Sequence, residues 1–460
     1  MMSRAGLLRF ALLALIGLTL AAVSGRLAVH TVNDTPSYVD YPFESLDQAL
    51  SSIRSPGYPL FLRLVELTVG LDAVPLLQLL LHVLAVWVLI EELLARQMAA
   101  PAAWMAALCV LVGCTAADHL STISTDAPAA SLGVICAVGL MHATRTGSRA
   151  VWIAAGVCCL LTIAVRPAYL FLIPWFAVVG WMLAVHDDRL VPDPAGDTSS
   201  RQRPRYHGCV VAAVVLVALL SWMALRKVRV GEFGLLPFGH QNLSAVLVQT
   251  VSPQTLRGLS GDGGELASRV ADRLEQDGYE LPVDGGLPTM TLEAQWDRIN
   301  YFVILPIAQD LERDRDAGGS GDPFNVRVHR RIGAMNRQIL ASHGRGYLRW
   351  LPLAARRAVW GIVADIAMHP VFLAMILLGG LTLVVRITMH PNRSPLHVPE
   401  GWTALTLVGL TYAGFKLALI ILSSPPLGRF ADAAAIFLPA VLGSFVIGIC
   451  GPIAGWRAGR

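Results

Sequence analysis

The sequence predicts an all-α polytopic membrane protein of about ten crossings, with a small and mainly helical domain on one face. Three observations carry that class. The 460 residues are 55% hydrophobic and 15% charged, whereas water-soluble domains carry about 25% charged residues. Apolar segments of roughly 17 to 25 residues recur along the chain, the length an α-helix needs to cross a ~30 Å hydrocarbon core. Arginines gather in alternate short connections, which is how a polytopic chain marks its cytoplasmic side.

The expected crossings fall near 5–24, 73–94, 98–115, 127–143, 151–165, 168–185, 209–225, 370–387, 402–422 and 431–451. The first follows Arg4, as a cleavable signal peptide would, but its apolar run is long and no small-residue cleavage site follows, so it reads as a retained helix. An even count places both termini on one side. With the termini in the cytoplasm, the short inside connections hold Arg96, then Arg145 and Arg149, then Arg189, Arg201, Arg203 and Arg205, then Arg386 and Arg393. The tail adds Arg457 and Arg460. The chain then divides into an N-terminal transmembrane module at 1–225, an extracytoplasmic segment at 226–369 and C-terminal transmembrane helices at 370–460.

Three segments face outward in this topology: 26–72, 116–126 and 226–369. The third carries ELASRVADRLEQDGYE and VHRRIGAMNRQILASH, whose apolar residues recur every three or four positions, separated by Gly- and Asp-rich breaks such as RDAGGSGDP. The run YLRWLPLAARRAVWGIV is aromatic, apolar and basic at once; it suits a helix in the interface beside anionic head groups, and equally an amphipathic helix packed on the domain. The inside connection PDPAGDTSSRQRPR has the composition of a flexible loop. All seven cysteines, Cys109, Cys114, Cys136, Cys158, Cys159, Cys209 and Cys450, fall in apolar segments. They read as small membrane hydrophobes, with neither a zinc knuckle nor a disulfide framework. A net charge of +4 gives no footprint for nucleic acid.

The polar residues of interest stand at the outer ends. Asp34, about ten residues past the first crossing, falls where a carboxylate meets both water and lipid head groups. Partial desolvation there favours a general base; the same residue, before Thr35 and Pro36, is also a good helix N-cap. The second loop supplies Asp118, His119 and Asp126, and Asp126 too stands where a cap would. A divalent cation held by Asp34, Asp118 and Asp126 is an alternative use of these carboxylates. Arg166 interrupts LLTIAVRPAYLFLIPW. An arginine at membrane depth faces a polar cavity or partner, or else snorkels to the head groups. Arg54 and Arg429 stand in comparable places, and a guanidinium fork suits a phosphate.

The order of Asp34 and Tyr38 after the first crossing, then RSPGYPLFL from Arg54, STDAP from Ser124, VRPAYL from Val165 and GRFADAAAIFLPAVL near the end resembles the GT-C glycosyltransferases. The likeness points to the bacterial protein mannosyltransferase and aminoarabinose transferase branch. It covers about the first 170 residues well and the last helix weakly. The resemblance implies a GT-C-like fold and an inverting transfer of a sugar from a polyprenyl-phosphate donor to an acceptor that is a lipid, a glycan or a protein. It implies a bacterial inner membrane with the site facing the periplasm. Asp34 would be the catalytic base, Arg54, Arg166 and Arg429 would face the donor phosphate, Tyr38 and Tyr58 would line the sugar, and Asp126 would contribute from the second loop. Relatives divide on whether a divalent metal is bound. Many carry a second acid directly after the first, where this chain has Thr35.

The rival classes are a transporter or flippase, and a polymerase or ligase of lipid-linked glycans. A transporter more often places charges mid-span and repeats broken helices in two matching halves. Here the ionisable residues gather at the ends apart from Lys416 and His82, with Arg9, Glu91 and Glu92 near inner ends.

Overall fold

A computed structural model describes residues 3–113, 118–190, 205–279, 281, 292–316, 322–389, 400–426 and 428–454. Twenty α-helices run through them. The first half comprises α1 (Arg4–Val23), α2 (Thr35–Val39), α3 (Leu46–Ser51), α4 (Gly57–Thr68), α5 (Val74–Ala95), α6 (Ala100–Leu111), α7 (Asp126–Thr146), α8 (Arg149–Val165), α9 (Leu172–Leu190) and α10 (His207–Val230). The second comprises α11 (His240–Leu247), α12 (Pro253–Arg257), α13 (Gly261–Gln276), α14 (Leu292–Arg298), α15 (Leu305–Asp316), α16 (Phe324–Met368), α17 (Pro370–Met389), α18 (Glu400–Ile421), α19 (Gly428–Ala434) and α20 (Leu438–Ala454). Pairing between extended segments is limited, among the described residues, to one isolated parallel bridge, His30 with Thr122.

Among the described residues six stretches are long and apolar enough to cross a bilayer: Arg4–Val23, Leu71–Ala95, Asp126–Thr146, Pro167–Asp187, His207–Val230 and Gly401–Ile421. The chain is an all-helical membrane protein. Ala100–Leu111, Arg149–Val165 and Leu438–Gly448 are apolar but shorter, and α16 and α17 meet at an 83° bend. Each expected crossing overlaps helix, with 431–451 divided between α19 and α20, and among the described residues six of the ten reach the length and hydropathy of a span on their own. The bend has a local cause. His369 precedes Pro370, whose ring clashes with a helical neighbour, and His369 is extended at φ −71°, ψ 121°.

One core runs through α5, α6, α7, α8, α9 and α18, around fully buried Trp175, Phe176, Tyr412 and Phe437. A second core is built from α11, α13, α14, α15 and α16, around Leu247, Leu266, Val270, Trp296 and Met335. Residues 347–363 belong to α16 and pack inward through Trp350, Ala354, Ala358 and Ile362, while Val359 and Trp360 stay exposed. Trp350 and Ala354 join the second core, while Ala358 and Ile362 pack with Leu417 and Ile420 of α18 and Ala431 and Ala434 of α19.

The bundle end at Arg96 is sealed by charge. Arg96 is wholly buried; it donates to Glu92 at 3.0 Å, to both carboxylate oxygens of Asp187 at 2.9 and 3.1 Å, and to the Met141 carbonyl at 2.6 Å. Arg145 makes two bonds to Glu92, at 2.9 and 2.8 Å, and Arg9 two to Glu91, at 2.6 and 2.8 Å. Buried charges persist only when paired and hydrogen-bonded, and these are. Arg201, Arg203, Arg393, Arg457, Arg460 and Cys114 lie outside the described residues, as do the PDPAGDTSSRQRPR loop up to residue 204 and residues 317–321 of the Gly-rich break. The side chains of Arg189, Arg386 and Cys450 are likewise not described.

Candidate active site

The site is assembled at the other end of the bundle by docking the two loops that follow α1 and α6. The His30 amide donates to the Ser121 carbonyl at 2.8 Å and the Ile123 amide to the His30 carbonyl at 3.0 Å. The Thr35 hydroxyl donates to the Ile123 carbonyl at 3.0 Å. Gln78 of α5 braces the second loop, donating to the carbonyls of Leu120 and Thr122 at 2.8 and 3.1 Å. Asp34, adjacent to Thr35, and Asp126, three residues after Ile123, are thereby carried on one hydrogen-bonded unit.

The RSPG stretch supplies the second docking. Ser55 donates to the Val165 carbonyl at 3.3 Å, and Gly57 lies so close to the end of α8 that a Cβ there would stand 2.6 Å from the Ala164 carbonyl. Only glycine permits that approach. The contact brings the start of α4 against Arg166, where Pro167 ends the helix and the backbone is extended at φ −146°, ψ 109°.

On this scaffold Arg54 reaches Asp34 with Nη2 2.7 Å from Oδ1. Its Nε donates to the Ser37 hydroxyl at 2.8 Å and its Nη1 to the Tyr38 hydroxyl at 3.2 Å. The guanidinium lies 4.5 Å from the Tyr38 ring centroid, and Tyr58 meets Tyr38 edge-on at 5.3 Å between centroids. Asp34 is half exposed while Arg54 is largely covered, so the carboxylate faces the open side. Asp34 does precede α2, but its side chain makes no capping bond. The capping reading is therefore corrected: Arg54 competes successfully for the carboxylate because a charge-assisted bond is about twice as strong as a neutral one.

Asp126 follows the same pattern. It is the first residue of α7, and its Oδ1 lies 2.5 Å from Arg166 Nη1, which also donates to the Thr125 hydroxyl at 3.1 Å. Thr125, not Asp126, stands at the N-cap position of α7, and Asp126 and Arg166 pair with each other at the mouth of the bundle. Arg166 lies within electrostatic range of Tyr38 and Tyr169, which joins the two ion pairs into one constellation.

Lys416 of α18, which the sequence marks only as a mid-span exception, completes it. It is buried, with Nζ 3.9 Å from the Tyr169 ring centroid and no hydrogen-bond partner among the described residues. It stands within electrostatic range of Asp126 and Arg166. Tyr169 and Tyr412, which bury their hydroxyls here, sit against Gly133, where any Cβ would overlap Tyr412 Oη. A lysine inside an apolar helix was the signal available in the sequence. Its neighbours, more than 240 residues earlier in the chain, were not.

Asp118 lies elsewhere, paired with Arg26 at 2.9 Å. It stands near Asp432, whose carboxyl is pushed up to about 6 by burial and by the charges of Asp365 and Asp118. Asp34, Asp118 and Asp126 thus each have their own arginine, and no group of three or more His, Cys, Asp or Glu side chains among the described residues could hold a metal ion. Arg429 lies in α19, and its side chain is outside the described set. His82, the other mid-span exception, is a satisfied core histidine, with Nδ1 3.1 Å from the Ser131 hydroxyl and Nε2 3.1 Å from the Val110 carbonyl.

Two solved structures are similar to this chain over nearly its whole length. One is ArnT from Cupriavidus metallidurans bound to undecaprenyl phosphate, with a TM-score of 0.38 and 16% identity, covering 99% of this chain and 80% of that one. The other is the same protein in the apo state, with a TM-score of 0.35 and 15% identity, covering 97% and 78%. No family model and no curated protein matches the chain. At TM-scores below 0.5 the two likenesses carry no argument about the site, which rests on its own geometry.

Proposed function

We propose that the chain is a membrane glycosyltransferase that moves a sugar from a polyprenyl-phosphate donor to an acceptor hydroxyl, with inversion at the anomeric carbon. The observation that supports this most is the pairing of a half-exposed Asp34 with Arg54, on a loop docked beside Asp126, Arg166 and the buried amine of Lys416. One carboxylate faces outward, and two guanidinium groups and a buried amine stand behind it at the end of a membrane bundle. That is the charge distribution needed to take a proton from an acceptor and receive a lipid phosphate.

In the reaction so read, Asp34 accepts the acceptor's O–H proton as that oxygen forms a bond to the anomeric carbon. The bond from that carbon to the phosphate oxygen breaks, and its electron pair leaves on the polyprenyl phosphate. Arg54 orients Asp34 through a fork that Ser37 and Tyr38 hold in place. Arg166 and Lys416 face the charge that grows on the departing phosphate, and Tyr38 and Tyr58 wall the sugar. Asp126 keeps Arg166 in position. The site end faces the exterior of a bacterial inner membrane, with the Arg96 end and both termini in the cytoplasm, and the second core forms the extracytoplasmic domain.

Wild type and Asp34→Asn, purified into lipid nanodiscs and given a panel of polyprenyl-phosphate sugars with membrane extract as acceptor source, decide the matter. The expected result is release of polyprenyl phosphate by wild type and a loss of about 10²- to 10⁴-fold in the variant, the usual contribution of a general base. Equal release by both removes Asp34 from the mechanism. No release by folded wild type favours a transporter.

A further inference from the structure

A cleft of about 340 Å³ opens between the first loop and the start of α16, within the ~300–1,000 Å³ range of small-molecule sites. Its polar lining is Ser37, Asp40, Gln48, Ser51, Ser52 and Asn325. Pro42 and Ile53 supply the apolar part. No lining residue is cationic. The Asp40 carboxylate makes no ion pair among the described residues, and the side-chain amides of Gln48 and Asn325 have no partner there, so these groups are open to a ligand.

Ser37 connects this cleft to the active site. Its hydroxyl accepts from Arg54 Nε at 2.8 Å and donates to the Asp34 carbonyl at 2.6 Å, while Ser52 Oγ accepts from the Arg54 amide at 3.1 Å. A molecule held in the cleft therefore lies one short residue away from the Asp34–Arg54 pair. The walls are anchored from beneath. Leu50, Val230 and Val326 form a small buried core joining α3, α10 and α16. Arg226, also buried, donates to the Leu50 carbonyl at 2.8 Å and to the Gly234 carbonyl.

We propose that this cleft is the acceptor subsite and that the acceptor it takes is a neutral, polyhydroxylated carbohydrate. The assignment rests on the glycosyltransferase reading above and narrows it. Hydroxyls both donate and accept, and they match a lining of three hydroxyls, two amides and one carboxylate. A phosphorylated or uronic acceptor would meet the Asp40 carboxylate, while Arg54, which reaches the cleft through Ser37, is already engaged with Asp34. Pro42 and Ile53 suit the apolar face of a sugar ring.

The test uses full-length protein in nanodiscs and saturation-transfer NMR with methyl glycosides of neutral hexoses, glucosamine and glucuronic acid. Ser51→Trp and Asn325→Trp, on two different elements, each fill the cleft, so a folding defect in one leaves the other to read. Neutral glycosides are expected to bind wild type and to lose at least tenfold in affinity in both variants, with glucuronide silent. Preference for glucosamine or glucuronide, or equal binding by wild type and both variants, overturns the assignment. A parallel donor assay separates the two readings. If wild type releases polyprenyl phosphate but binds no neutral glycoside, the subsite alone falls; if glycosides bind but no donor is consumed, the transferase reading falls and the carbohydrate site stands. Comparing a soluble oligosaccharide with the same glycan on a lipid carrier then shows which form is used.

Discussion

Arg54 holds Asp34, the proposed base, through a planar fork, and that geometry makes a sharp prediction. Arg54→Lys keeps the charge opposite Asp34 but has no counterpart to the bonds from Nε to Ser37 and Nη1 to Tyr38. Two hydrogen bonds worth ~0.5–1.5 kcal/mol each correspond to roughly a 5- to 150-fold fall in kcat/KM, measured by release of polyprenyl phosphate at unchanged melting temperature. Gly57→Ala acts instead through packing. A methyl 2.6 Å from the Ala164 carbonyl must push α4 off α8, at a cost of about 1–3 kcal/mol in stability, read as a lowered melting temperature. That Asp34 and Arg166 are candidates was legible from their position, because carboxylates and arginines at membrane boundaries are unusual. Their partners were not. Ion pairing depends on which loops dock, and the docking uses backbone carbonyls such as those of Ile123 and Val165, which leave no mark in the residue types.

Among the elements, α11 and α16 meet through two stacked imidazoles, His240 and His329, with ring centroids 3.9 Å apart. Burial, then the neighbouring His240 and Arg226, hold His329 down to about 3. Burial, then Arg337, lowers His240 as well. The unfolded chain takes up these protons below about 6.5 while folded His329 refuses its proton until about 3. The unfolded state thus binds more protons across that window, and stability falls as pH drops through it, by up to about 1.4 kcal/mol per pH unit for one such group. Urea titrations from pH 7 to pH 4, followed by fluorescence of Trp296 and Trp350 in the second core, should show the decline. His329→Gln should flatten it; an equally steep profile in that variant would assign the acid sensitivity to other groups. The helices themselves were readable, since α13 and α16 follow their apolar spacing closely. The lengths were not, because Ala100–Leu111 and Arg149–Val165 end where proline, glycine or a loop contact stops them rather than where the apolar run ends.

Across the whole molecule, polar chemistry is concentrated at the two ends of an apolar bundle. The Arg96 end is closed by fully partnered charges and the Asp34 end is left open. Removing one partner from the closed end should therefore affect stability and leave the chemistry alone. Glu92→Gln strips a carboxylate from Arg96, Arg145 and His142 together, and an uncompensated buried charge costs about 3–5 kcal/mol. Thermal unfolding in nanodiscs should drop accordingly, while kcat measured well below the new melting temperature stays within about twofold. The arginine pattern that predicts orientation was legible as a count per loop. That Arg9, Arg96 and Arg145 are neutralised in the folded bundle was not, because Asp187 lies 91 residues after Arg96. The separation also sets a timetable. At synthesis rates of ~5–20 residues per second, Asp187 follows Arg96 out of the ribosome by roughly 5–20 s. During that interval Arg96 has Glu92, four residues before it on α5, and lacks its later partner. The same guanidinium thus serves first a contact within one helix, and seconds later works as mortar between three finished helices.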